Sequence, residues 1–367
     1  MKRRQFVAAA AITATGVGVS ACARKPAVTD AESLAGGATF RWKMVTTWPP
    51  NFPGVGTGAN RLAEMLDLAS AGRLKVKVFG GGELVPALEV FDAVAGGTAE
   101  MGHGASYYWK GKAEAASIFT AIPFGLNAAE MNAWLYSGGG LELWRELYAP
   151  FGVLPFPCGN TGVQMGGWFN REIRSVADLK GLKMRIPGLG GEVLQRAGGA
   201  PVTLPGGEIF TALQTGAIDA TEWIGPYNDL AFGLYKAAKY YYYPGWHEPG
   251  STLECIVSRK AYDSLPPDLQ EILRVCCAAV NDTMLAEYNA RSFEALDTLV
   301  DDHKVDVRPF PNDVLRYLRD LSHEIVRETA ARDPSFAKVY ASMSKFEAGI
   351  SRWTAISDLA YLKTRSL

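Results

Sequence analysis

Phe91-Asp92-Ala93-Val94-Ala95-Gly96-Gly97-Thr98-Ala99-Glu100 is echoed in the second half of the chain by Phe210-Thr211-Ala212-Leu213-Gln214-Thr215-Gly216-Ala217-Ile218-Asp219. Each stretch reads as a helix end, a glycine stop and a short strand with small or acidic residues. Each follows a strand–helix signal, Leu74 to Phe79 in the first case and Leu182 to Ile186 in the second. Strands alternating with helices predict βαβ units and largely parallel sheets. One block lies before about residue 160 and one after it, so the pattern predicts an α/β protein of two domains.

Working outward, Phe40 to Thr47 reads as a strand that runs into Trp48-Pro49-Pro50, a rigid loop. Leu62, Met65, Leu66 and Ala69 have helical spacing, and Gly72 stops that helix. From Pro266 to Asp301 the apolar residues Leu269, Ile272, Leu273, Cys276, Val280, Met284, Leu285 and Tyr288 keep helical spacing almost without breakers. The pattern resumes from Pro311 to the end, interrupted by Pro334. The expected division is residues 38–160 for domain 1, completed by part of 250–367, and 161–249 for domain 2. Residues 262–367 supply a long helix and bracing helices.

The N-terminus stands apart from this fold. Lys2, Arg3 and Arg4 precede an apolar stretch from Phe6 to Val19 and small residues at Ser20 and Ala21, which is the order of an export signal. Residues 1–23 read as that signal and 24–37 as a linker. Arg3-Arg4 before Phe6-Val7 favours the twin-arginine type over a general secretory one. Cleavage before Cys22 leaves a lipidated cysteine, whereas cleavage after Ala23 discards it, and both readings stand. The expected location is the periplasm, free or tethered through Cys22. The 367 residues are 48% hydrophobic and 20% charged, enough for a sizeable core, and the formal net charge of −1 offers no basic field for nucleic acid. Among Cys158, Cys255, Cys276 and Cys277, an exported protein allows a Cys158–Cys255 bridge, while the adjacent Cys276 and Cys277 suit small buried positions in a helix.

Open α/β sheets bind ligands beyond the carboxyl ends of their strands. Arg185 ends a predicted strand immediately before Pro187-Gly188, where its guanidinium fork suits a carboxylate, although a surface arginine is the commoner case. Glu222-Trp223 follows the predicted strand Ala217 to Thr221, and Glu248 lies in Tyr243-Pro244-Gly245-Trp246-His247-Glu248-Pro249-Gly250. Two acidic loops near one arginine repel an anionic ligand unless a hard cation, bound through oxygen, sits between them.

These segments resemble one known family. Leu179-Lys180-Gly181-Leu182-Lys183-Met184-Arg185-Ile186-Pro187 and Glu208-Ile209-Phe210-Thr211-Ala212-Leu213-Gln214-Thr215-Gly216-Ala217-Ile218-Asp219 are similar to the solute receptors of tripartite ATP-independent periplasmic (TRAP) transporters, over about residues 40 to 345. Glu222-Trp223-Ile224-Gly225-Pro226-Tyr227-Asn228-Asp229 and the Tyr241-to-Gly250 segment resemble a branch that binds 2-oxo acids such as pyruvate, or lactate, with Na⁺ or Ca²⁺. The resemblance implies a periplasmic-binding-protein-like fold with a cleft, a long connecting helix and C-terminal helices through which some relatives dimerise. It implies that Arg185 grips the ligand carboxylate. Gln164, Glu222, the Trp223 carbonyl and Glu248 match positions around the metal, and Asn160, Tyr107 and Tyr108 match positions that touch the ligand. The partner it implies is a membrane permease.

Two other classes compete. A metal-dependent enzyme acting on a 2-oxo acid needs a base, and the four histidines, His103, His247, His303 and His323, show no paired metal spacing and no Ser-His-Asp arrangement. A structural envelope lipoprotein predicts no ligand. A binding protein fits the strand-tip residues better than either.

Overall fold

The first sheet is assembled from five strands in the order β2-β1-β3-β10-β4, where β1 is Phe40–Thr46, β2 Leu74–Phe79, β3 Met101–Gly104, β4 Val153–Asn160 and β10 Thr252–Ser258. The second has six in the order β11-β9-β5-β8-β6-β7, with β5 Gly167–Phe169, β6 Lys183–Arg185, β7 Ala200–Val202, β8 Ala220–Thr221, β9 Tyr240–Tyr243 and β11 Asp306–Pro309. The computed structural model describes residues 38–365 and residue 367, and residues 38–367 form one compact unit. The export signal, the linker and Cys22 lie outside the described residues.

The repeated motif has a common backbone. The helix Val90–Ala95 is followed by Gly97 at φ 77°, and the helix Gly206–Gln214 by Gly216 at φ 75°. Both glycines take the left-handed conformation that ends a helix cheaply only without a Cβ. Each then leads to a strand, β3 or β8, that joins a parallel pair.

The sheets are mixed rather than largely parallel. β10 runs antiparallel to both β3 and β4, and β5 antiparallel to both β8 and β9. The cause is the chain path. The chain leaves the first sheet at the end of β4, enters the second at β5, and returns from β9 to β10. A further difference is β11, which lies in the gap between the two expected helical stretches, where no strand is expected, and pairs parallel with β9.

The helix Pro267–Asp297 has 31 residues, about 46 Å at 1.5 Å per residue. Its buried face, Leu269, Leu273, Cys276, Cys277, Val280, Met284 and Tyr288, packs on β4 and on the helices Val55–Ala69 and Pro226–Phe232. Tyr288 donates to Asn228 Oδ1 at 2.7 Å, and Asn228 Nδ2 donates to the Pro53 carbonyl at 3.0 Å, so the helix is pinned at several levels. The four described cysteines are free and buried, and no Cys158–Cys255 bridge exists. Register explains this: Cys255 lies opposite Phe156, leaving Cys158 as a diagonal neighbour. Diagonal neighbours lie about 7–8 Å apart, with Cβ atoms somewhat closer, against the roughly 3.5–4.5 Å Cβ separation of a disulfide.

Candidate ligand and cation site

The site forms where strand ends of the two sheets meet. β6 and β8 are parallel neighbours with Arg185 opposite Thr221, so Arg185 and Glu222 emerge side by side at their carboxyl ends. Arg185 is fully buried rather than a surface residue. Its Nη1 pairs with Glu222 Oε1 and lies 3.3 Å from the Glu222 carbonyl, its Nε donates to the Leu204 carbonyl at 3.2 Å, and its Nη2 donates to Tyr108 OH at 3.1 Å. The Trp223 ring lies 5.2 Å from the guanidinium carbon, a cation–π contact.

The first sheet contributes Tyr107 and Tyr108 on a 3₁₀ turn, Ser106–Trp109, just beyond β3. Their rings meet edge to face at 4.7 Å. Gly188, at φ 63°, begins the helix after β6, and a Cβ there would come within 3.3 Å of Tyr107, so glycine lets the two sides close on each other. Trp48, beyond β1, closes the wall through edge contacts with Trp223 at 6.3 Å.

The remaining residues sit on two of the passages between the sheets, β4 to β5 and β9 to β10. These passages run side by side, with Thr161 N–H donating to the Ser251 carbonyl at 3.1 Å, Gln164 N–H to the Glu248 carbonyl at 3.2 Å, and Gly245 N–H to the Gln164 carbonyl at 2.8 Å. Gln164 Nε2 donates to Glu248 Oε2 at 2.7 Å, and Ser251 Oγ donates to the same oxygen. Gln164 Oε1 is buried without a donor. Asn160 is also buried, but its amide is occupied: Nδ2 donates to the Gly250 carbonyl and Thr252 Oγ1, and Oδ1 accepts from Gly162 N–H at 2.8 Å. It holds the end of β4 against the return passage.

His247 is the residue that spacing did not single out as part of this cluster. Its Nε2 lies 3.4 Å from Glu222 Oε2, and ligand atoms of Glu222, His247 and Glu248 all lie within 4.8 Å of one another. The only sequence signal for it was its place beside Glu248 in a Pro-Gly-bounded loop.

The electrostatics follow from burial. Burial opposes the charge on Arg185, yet Glu222, Tyr108, Tyr107 and Glu248 together outweigh it and hold the guanidinium above its ordinary value. Glu248 is pushed up to about 7 by burial first and by the Glu222 carboxylate next. Burial, reinforced by Glu248, raises the Tyr107 hydroxyl well above its usual range. Two buried carboxylates thus face one buried guanidinium. An unpartnered amide oxygen beside two carboxylates is the donor set of a hard cation, so the residues fit Na⁺ or Ca²⁺.

Two mixed sheets with an enclosed arginine–carboxylate site at their strand ends define a solute receptor of the periplasmic-binding-protein kind. Residues 44–333 match the family model for bacterial extracellular solute-binding protein, family 7 (DctP), and the chain belongs to that family. It is 46% identical over 365 residues to the monocarboxylate 2-oxoacid-binding periplasmic protein of Nostoc sp. strain PCC 7120, covering 98% of each chain. Its structure is similar to that of a TRAP periplasmic solute binding protein from Colwellia psychrerythraea with bound calcium and pyruvate, with a TM-score of 0.87, 46% identity, and coverage of 89% of this chain and 99% of that one. It is also similar to one from Pseudoalteromonas atlantica T6c with bound sodium and pyruvate, with a TM-score of 0.86, 45% identity and the same coverage. Among the described residues, no helix is long and apolar enough to cross a membrane.

Proposed function

We propose that this chain is the periplasmic receptor of a TRAP transporter, binding a small 2-oxo acid such as pyruvate, or lactate, with Na⁺ or Ca²⁺, and presenting it to a membrane permease. The observation that carries this reading is the buried set of Arg185, Glu222, Glu248 and the unpartnered Gln164 Oε1. One guanidinium cannot balance two carboxylates and an incoming anion in a dry space. A bound cation supplies the missing positive charge.

In this reading Arg185 orients the ligand carboxylate. Four of its five N–H bonds already have partners, two on Nη1 and one each on Nε and Nη2. A two-point grip therefore uses the free Nη2 hydrogen and the one held by Tyr108, which turns its hydroxyl toward the ligand. Gln164, Glu222, Glu248 and the Trp223 carbonyl hold the cation. Tyr107, Tyr108 and Trp48 wall the apolar part of the acid. Asn160 acts by fixing the passage on which Gln164 sits.

Residues 38–160 with β10 and residues 161–249 behave as two lobes in this proposal. Contacts across them, among them Arg185–Tyr108 and the Lys110–Glu192 ion pair, favour the closed form when the site is filled. The reading is of a receptor rather than a catalyst. No detectable conversion of pyruvate or lactate by the purified protein is expected, and turnover would favour an enzyme instead.

The C-terminal helices Pro334–Ile356 and Asp358–Arg365 expose Trp353, Ile356, Leu359, Tyr361 and Leu362, an apolar face suited to a second copy of the chain. Truncation after residue 350 is expected to lower the sedimentation coefficient from dimer to monomer. The mass of the mature chain separates a lipidated Cys22 from cleavage beyond it.

The central test is titration of refolded, ligand-free protein with pyruvate, lactate, longer 2-oxo acids and succinate, with and without Na⁺ or Ca²⁺, following tryptophan emission. Saturation by a monocarboxylate only when a cation is present is expected. Cation-independent binding, or saturation by succinate alone, would overturn the reading.

A further inference from the structure

A glutamate with no role in the site lies within the core of the first sheet. Glu254 sits on β10, opposite Gly104 of β3 and Pro157 of β4, and has no exposed surface. Its Oε1 accepts from Trp109 Nε1 at 2.7 Å and from Tyr148 OH at 3.2 Å, while its Oε2 is buried with no partner. Trp109 is the last residue of the turn that carries Tyr107 and Tyr108. A Cβ at Gly104 would come within 2.7 Å of the Trp109 ring. The chain thus leaves β3, makes the turn and folds the indole back over its own strand end, where the N–H finds Glu254. At its other end the turn is held by Ser106 Oγ, which donates to the Ala116 carbonyl at 2.6 Å and lies 2.8 Å from Thr120 Oγ1.

We infer that Glu254 is a positioning residue for ligand binding, which fixes the Tyr107–Tyr108 turn through Trp109. The inference rests on the 2-oxo acid reading of the site. Of the elements packed around Glu254, the helix Gly140–Tyr148 offers Tyr148 as the ionisable group in contact, and its Arg145 lies over the Phe156 ring instead. The helix Val90–Ala95 turns Asp92 to Lys112 at the surface, and the helix Ala116–Thr120 has no charged residue. On β3, His103 is engaged by Trp48 and the Cys158 carbonyl, and the nearby thiols are themselves neutral, Cys255 raised by its contact with Cys277 and then by burial, Cys158 by burial against the opposing effect of Cys277. With no cation beside it, the carboxyl is pushed by burial up to about 8, and the bonds from Trp109 and Tyr148 offset this only in part. A proton on Oε2 spares the core a bare buried charge at the oxygen that has no donor.

The consequence is a pH limit on binding from a residue outside the site. Above about pH 8 the carboxylate holds the indole N–H more tightly but leaves its other oxygen an unsolvated charge in the core, and the water drawn in to solvate it opens the strand end that carries the turn. The experiment measures pyruvate affinity at saturating CaCl₂ from about pH 7 to about pH 9.5 for the wild type, Glu254→Gln and Trp109→Phe. The wild type is expected to lose roughly tenfold in affinity per pH unit above the midpoint, as one deprotonation requires. Glu254→Gln, which keeps the acceptor and cannot ionise, is expected to bind with a flat profile, and Trp109→Phe to bind more weakly at every pH. The ¹⁵N–¹H resonance of the Trp109 indole, assigned by its loss in Trp109→Phe, should titrate near pH 8 in ligand-free wild type and stay fixed in Glu254→Gln. A wild-type profile retained in Glu254→Gln, or an indole signal that does not titrate, overturns the inference. If the wild type binds no 2-oxo acid at any pH, the functional reading fails and the indole titration alone decides the role of Glu254. If Glu254→Gln does not fold, the indole titration of the wild type still decides it.

Discussion

Arg185 and Glu222 form an ion pair in which the two side chains are 0% and 1% exposed, at the ends of adjacent parallel strands. Breaking a buried pair on one side leaves the other charge uncompensated, at a cost of about 3–5 kcal/mol. Arg185→Ala is therefore expected both to lower the melting temperature and to abolish saturable pyruvate binding in calorimetry. Arg185→Lys keeps the charge without the fork and should weaken binding by on the order of a hundredfold. Unchanged affinity in Arg185→Lys would show that the ligand carboxylate lies elsewhere.

The cation should respond to other residues than the anion does. Glu222→Gln and Gln164→Ala are expected to raise the Ca²⁺ concentration needed for half-saturation by on the order of tenfold or more, with pyruvate affinity largely recovered at high Ca²⁺. Isothermal titration of Ca²⁺ into each variant at fixed pyruvate checks this. Loss of pyruvate binding that no Ca²⁺ concentration restores would assign these side chains to the ligand instead.

As a proposed cation ligand, Glu248 is expected to set a lower pH limit on binding. Its carboxyl, raised to about 7 in the cation-free protein, must lose a proton to hold a metal. Ca²⁺ affinity is expected to fall as pH drops through about 7, and binding should release protons, seen as a buffer-dependent enthalpy. In the absence of cation the sign reverses for stability. The folded state holds a proton that the unfolded glutamate has lost between its ordinary value of 4.5 and about 7, so this group removes stability as pH rises through that window. Glu248→Gln should flatten both dependences.

His103 is a structural imidazole with an assigned tautomer. Trp48 Nε1 donates to its Nδ1 at 2.7 Å, so Nε2 carries the hydrogen and donates to the Cys158 carbonyl at 2.8 Å. Burial depresses it from 6.5 to about 4. The unfolded chain takes up a proton first as pH falls from 6.5 toward 4, so stability is lost across that window, on the order of 3 kcal/mol in total. Denaturant melts of His103→Gln against wild type should differ in slope over that range and run parallel above it.

The thiols make a separate prediction. Cys158, Cys255, Cys276 and Cys277 are buried and unbridged, and burial raises each thiol above its usual value, Cys255 first through its contact with Cys277. Native protein should react very slowly with a thiol reagent, and denatured protein should show all four as free thiols. A mass two hydrogens short under denaturing, non-reducing conditions would reveal a bridge.

Much of this protein was set by local chemistry that a sequence displays. The glycine stops at Gly97 and Gly216, the strand ends at Arg185 and Glu222, and the helical spacing from Leu269 to Tyr288 depend on neighbours within a few residues, and each is legible without coordinates. What only the tertiary structure decided depends on pairs far apart in the chain. The antiparallel course of β10 and β5, the recruitment of β11, and the side-by-side passages that bring Gln164 to Glu248 follow from register between distant segments. The same holds for the occupied amide of Asn160, the tautomer of His103 and the unpartnered oxygen of Glu254, because whether a polar atom is free is settled by whatever the folded chain places against it.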